Sequence, residues 1–124
     1  MGNGSRENTK IIGDLGETIA CKFLESKGFT ILDRNYRKKY GEIDIIARKG
    51  NSIRFVEVKS ISRENSDFRP EEQAHPKKIG KIARVADFYM NQREGQEEYQ
   101  IDVIGVFIDE NRMKARCRFF EGVA

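Results

Sequence analysis

The chain has 124 residues, of which 23 are Lys or Arg and 20 are Asp or Glu, for a formal net charge of +3. That length suits one domain, able to bury roughly two-thirds of its unfolded-chain surface in a single core. So small a net charge leaves the placement of basic residues, not their number, to argue for a nucleic-acid partner. An apolar run of about 18 residues and a signal-peptide core are both lacking, so neither a membrane span nor export is expected and the cytoplasm is the expected location. Two cysteines, Cys21 and Cys117, without a Cys-x-x-Cys and with a single histidine, do not make a zinc pattern.

Residues 1–7 are Gly-rich and polar and are expected to form a flexible tail, with one domain over residues 8–124. A helix is predicted from Asn8 or Thr9 to Lys27, closed by Gly28 as a left-handed cap. Its apolar stripe runs through Ile12, Leu15, Ile19, Ala20 and Phe23, and Glu17 falls on the border of that stripe, where an acid can reach over a sheet edge. Phe29 to Tyr36 reads as a strand and Arg37-Lys38-Lys39-Tyr40 as a basic turn. Gly41 to Ala47 and Arg54 to Lys59 are rich in Ile, Val and Phe, and Gly50-Asn51 between them is a two-residue hairpin signal. Residues 61–73 show no period and are expected to form a mobile loop. A second helix follows from Pro76 to Gln92, with Ile79, Ile82, Ala83, Ala86 and Met90 as its core stripe. Tyr99 to Ile108 is apolar on both faces, as a strand covered by helices would be, and Lys114 to Glu121 alternates as an edge strand. The order helix, three strands, helix, strand gives an α+β or α/β architecture: a mixed sheet with an antiparallel first hairpin and a crossover through the second helix.

The hairpin carries the chemistry. If Lys49 faces Ser52, pairing outward brings Asp44 opposite Glu57, and directly opposed residues have Cβ atoms about 4.5–5.5 Å apart. Two carboxylates so placed repel, and a hard divalent cation, Mg²⁺ or Mn²⁺, is what relieves them. Lys59 lies on the same face, about 6.6–6.8 Å beyond Glu57. An acid pair with a neighbouring lysine is the set that metal-assisted phosphodiester hydrolysis uses, and Glu17 is the candidate third acid. Lys59 has a competing role as the salt-bridge partner of Glu57. Glu42 and Asp102 are read as structural, and His75-Pro76 as the entry to the second helix. Phosphate contacts are expected from Arg34, Tyr36, Arg37, Lys38 and Lys39, where tyrosines interleave the cations, and from the stripe Lys77, Lys81 and Arg84.

Gly16-Glu17, Asn35-Tyr36-Arg37, Gly41-Glu42-Ile43-Asp44-Ile45-Ile46-Ala47, Phe55-Val56-Glu57-Val58-Lys59 and Asp102-Val103-Ile104 together resemble the small bacterial YraN-like proteins. These belong with the restriction-endonuclease-like PD-(D/E)xK nucleases. The resemblance covers roughly residues 10–108 and implies an αβββαβ core, here with an extra C-terminal edge strand. It also implies a Mg²⁺-dependent endonuclease acting on DNA, branched or damaged DNA included. Asp44, Glu57, Glu17 and the Val58 backbone carbonyl would hold the metal, and Lys59 would be the catalytic lysine. Arginines of the family pattern are replaced here within Ser60-Ile61-Ser62-Arg63 and Gln100-Ile101-Asp102. The alternative is an adaptor that keeps the fold and binds nucleic acid without cutting it. A branched substrate would suit a two-fold homodimer.

Overall fold

Gly50 adopts φ 58°, the left-handed region a tight hairpin turn demands, and the strands on either side pair outward from it. Lys49 meets Ser52, Arg48 meets Ile53, and the ladder continues through Ile45 and Val56 in the register expected from the sequence. In the computed structural model, which describes residues 2–62 and 76–124, this hairpin is the centre of the chain. The elements in order are α1 (Gly2–Ser26), β1 (Thr30–Lys38), β2 (Gly41–Lys49), β3 (Ser52–Ser62), α2 (Pro76–Asn91), β4 (Glu98–Asp109) and β5 (Lys114–Phe120). They form a five-stranded sheet in the order β1-β2-β3-β4-β5, antiparallel throughout except for the parallel pair β3 and β4. The parallel pair requires a crossover, and α2 supplies it. This is the α+β order anticipated above, with β5 as the extra edge strand.

Each face of the sheet is covered by one helix. Ala20, Cys21 and Leu24 of α1 pack with Ile45, Ala47, Val56, Ile104 and Val106; Ile79, Ile82, Val85 and Ala86 of α2 pack with Ile43, Ile46, Ile53, Phe55 and Ile101. Helix α1 ends as its glycine foretold. Gly28 has φ 93°, its N–H donates to the Glu25 carbonyl, and the Phe29 N–H reaches back to the Leu24 carbonyl, both at 3.0 Å.

Several boundaries differ from the sequence reading. Helix α1 begins at Gly2, where a tail up to residue 7 was expected, because a helix nucleated on its packed half adds one hydrogen bond per residue backwards until something stops it. Leu15 is 42% exposed rather than in the core. Gly16 takes its place: a Cβ there would meet the Ser60 Cβ at 2.8 Å and overlap its hydroxyl, so the helix lies closest to β3 at a residue without a side chain. Strand β3 runs on to Ser62 because its parallel ladder with β4 continues to Ile108. The remainder of the loop expected over 61–73 lies outside the described residues. No helix among the described residues is long and apolar enough to cross a membrane.

Candidate active site

Strand β2 breaks its alternation at Asp44. Ile43 and Ile46 belong to the α2 side while Ile45 and Ala47 belong to the α1 side, so the strand turns over between Ile43 and Ile45. Both neighbours take part. On β1, the pairs Arg34 with Ile45 and Tyr36 with Ile43 leave Asn35 across from Asp44, and Asn35 sits at φ 53°, a conformation asparagine tolerates better than most residues. On β3, the ladder stops at Ile45 and Val56, one pair short of Asp44 and Glu57. The strands part there, and Asp44 Oδ2 accepts the Val58 N–H at 2.8 Å, satisfying a donor that the departing strand no longer reaches.

The opening gathers acids. Burial first, and then the charge of Glu57, push the Asp44 carboxyl up to about 7, while the Val58 N–H works the other way and Glu17 and Glu42 add to the rise. Glu17 is raised mainly by burial, with Arg34 and Asn35 opposing. Its Oε1 is buried without a hydrogen-bond partner, Arg34 Nη2 standing 3.7 Å away and donating instead to Thr18 Oγ1 at 3.3 Å. Glu57 is only 8% exposed, and Lys78 Nζ lies 2.9 Å from its Oε1. Glu42 is held by Arg37, whose Nε and Nη2 donate to Oε2 at 3.2 and 2.9 Å.

Beside these acids a cleft of about 500 Å³ is lined by Gly41, Glu42, Glu57, Lys77, Lys78, Lys81 and Ile82. Lys77 and Lys81 therefore reach the candidate site, as their stripe suggested. Arg84 stands over the Tyr40 ring at 5.3 Å. Lys59 is exposed on the same sheet face as Glu57 and makes no ion pair with a described residue, so its suggested pairing with Glu57 belongs to Lys78 instead. The Tyr36 ring packs edge-on against Tyr89 at 5.2 Å with Lys38 Nζ 5.1 Å above it, which leaves Tyr40, 53% exposed, as the surface ring of that segment. Lys39 is in the exposed turn. Asp102 is fully buried in the first half of β4, in the row of Val56, and takes hydrogen bonds from Arg54 Nη1, Gln100 Nε2 and the Gly122 N–H, a structural clamp as expected.

Sequence reasoning missed Lys78 and Asn35. Lys78 precedes the core residue Ile82 by one helical turn, which places it on the edge of the apolar stripe, where a lysine can snorkel to a buried acid. Asn35 gave a weaker signal: an asparagine inside a strand pattern marks a place where the backbone can turn left-handed.

The donors fit a hard divalent cation. The side-chain donors are all carboxylate oxygens, and Glu17 Oε1 is a buried acceptor that receives no hydrogen bond from a described residue. Among the described residues no group of three His, Cys, Asp or Glu side chains could enclose an ion alone. Mg²⁺ does not need such a cage, since it keeps several waters and is commonly held by one or two carboxylates plus substrate phosphates.

The model of the uncharacterised protein family UPF0102 matches residues 16–106, from the Gly16 contact through most of β4. The chain belongs to the UPF0102 family. The UPF0102 protein of Campylobacter fetus subsp. fetus is 42% identical over 104 residues, covering 84% of this chain and 88% of its own. That of Dictyoglomus turgidum is 42% identical over 103 residues, 82% of this chain and 86% of its own, and that of Thermotoga petrophila 48% over 90 residues, 73% and 81%. UPF0102 is the YraN family, so the resemblance drawn from the motifs holds. Glu17, Asp44, Glu57 and Lys59 all lie inside the span that UPF0102 proteins share.

Proposed function

We propose that this chain is a Mg²⁺- or Mn²⁺-dependent endonuclease that hydrolyses phosphodiester bonds in DNA. The observation that carries the reading is Asp44 itself: a half-buried carboxyl at the point where two strands part, crowded by Glu57, Glu17 and Glu42 and opening beside a cleft lined by three lysines. Acids crowded in this way raise one another's cost of ionisation, and a cation-dependent phosphoryl-transfer site is the chemistry that uses them.

When bound, the ion would polarise the phosphoryl oxygen and make a water nucleophilic near neutral pH. The residues of the chain do the rest. The Val58 N–H fixes the Asp44 carboxylate, and Lys78 fixes Glu57. Lys77 and Lys81 hold substrate phosphates in the cleft. Lys59, exposed two residues past Glu57, faces the charge that builds on phosphorus.

One observation favours a second reading. The Lys78 to Glu57 ion pair gives that acid a counter-ion without any metal, as a binding module that does not cut would require. A screen of single-stranded, duplex, flap and four-way DNA with Mg²⁺ and with Mn²⁺ separates the two. The nuclease cuts at least one of these, and Lys59→Ala lowers its rate by roughly 10²-fold or more with DNA affinity nearly unchanged. Retained binding with no cleavage under either ion would install the adaptor in its place.

A further inference from the structure

Strand β5 turns Cys117 and Phe119 towards the α1-side core, so Lys114, Arg116, Arg118 and Phe120 turn to the opposite face. Glu57 and Lys59 share that face, because Val58 between them packs on the α1 side. The ladders align the cations. Lys59 pairs with Gly105 on β4, and Gly105 pairs with Arg118 on β5, so the one residue between the two cations has no side chain. At about 4.7–4.9 Å per strand spacing, their Cα atoms are roughly 10 Å apart. In the next row Arg116 pairs with Phe107 and its guanidinium lies 5.1 Å over that ring, while Arg118 lies 5.3 Å over Phe120. The core contacts of α2 are with β2, β3 and the start of β4, so the helix packs away from this end of the sheet. Lys59, Arg116 and Arg118 are exposed, and none makes an ion pair with a described residue.

We propose that Arg118 and Arg116 form a track for the phosphodiester backbone of the strand that is cut, leading away from Asp44, Glu57 and Lys59 across the bare backbone of Gly105. This rests on the nuclease reading for the position of the cut and on charge complementarity for the occupant. Guanidiniums braced on aromatic rings are pre-oriented donors, and arginine matches a phosphate with two parallel hydrogen bonds. At about 3.4 Å per stacked nucleotide, the Arg118 row meets the backbone roughly three nucleotides from the site. Strand β5 lies beyond residues 16–106 matched by the family model, while Lys59 and Gly105 lie inside them.

The test is DNA binding against salt, in Ca²⁺ to suppress cutting, for the wild type, the double variant Arg116→Gln with Arg118→Gln, and the double variant to lysine. The glutamine pair should reduce the log–log salt slope by about 1.4 on single strands or about 1.8 on duplex, and the lysine pair should retain it. Arg118→Gln alone, which leaves Arg116 on Phe107, should give about half that loss. Mn²⁺, by relieving the repulsion at Asp44 and Glu57, should raise the melting temperature equally in all four proteins. A glutamine pair with wild-type affinity and slope would overturn the track and leave the nuclease reading standing. A reduced slope in a protein whose wild type shows no Mn²⁺ response would keep the track and remove the metal site. Binding of polyglutamate as tight as DNA, lost in the same variant, would overturn nucleic acid as the occupant.

Discussion

Asp44 couples folding to pH. Its carboxyl stands at about 7 in the folded chain against an ordinary 3.8, so between those values the folded state holds a proton that the unfolded state has lost. Stability therefore falls as pH rises from about 4 to about 7 and levels off above that. At about 1.4 kcal/mol per unit, the full span is on the order of 4 kcal/mol. Urea melts in EDTA should show a lower midpoint at about pH 8 than at about pH 5, and Asp44→Asn should remove most of the difference. An unchanged difference in that variant would mean Asp44 is not strained by its neighbours. The hairpin register from Lys49 and Ser52 to Ile45 and Val56 was legible because a two-residue turn fixes the pairs that follow it, and it brings Asp44 and Glu57 to the same opening. That the strands part before reaching the two acids was not, since the left-handed Asn35 and the turned-over β2 are tertiary features that no periodicity encodes.

At the scale of elements, the decisive contact is helix α1 on strand β3 at Gly16, which holds Glu17 against the sheet. Gly16→Ala should cost about 1–3 kcal/mol as an overpacked contact, and Ser60→Gly in the same chain should restore part of it. Equal destabilisation in the single and double variants, read from urea midpoints, would show that Ser60 is not what the added methyl meets. Sequence periodicity placed Leu15 in the stripe because it weighs hydrophobicity and cannot register that the closest approach needs an absent side chain. The strands and their order were readable for the opposite reason: alternation, the Gly50-Asn51 turn and the apolar β4 each specify pairing locally. Lys78 escaped notice since its partner is 21 positions away in sequence and was assigned to Lys59.

For the whole molecule, a net charge of +3 hides a division of labour: acids converge at one opening, and cations line the cleft and the surface around it. If the α2 surface holds phosphates, Lys81→Ala with Arg84→Ala should lower the salt slope of duplex binding by about 1.8 without altering the response to divalent ions. A slope that stays at the wild-type value would confine DNA to other surfaces. The central claim is that Asp44 and Glu57 share a divalent cation, and calorimetric titration of Mn²⁺ into the wild type and into Asp44→Asn and Glu57→Gln tests it directly. The account predicts a saturable, single-site heat in the wild type that is lost in both variants; equal heats in all three, or none in the wild type, would contradict it.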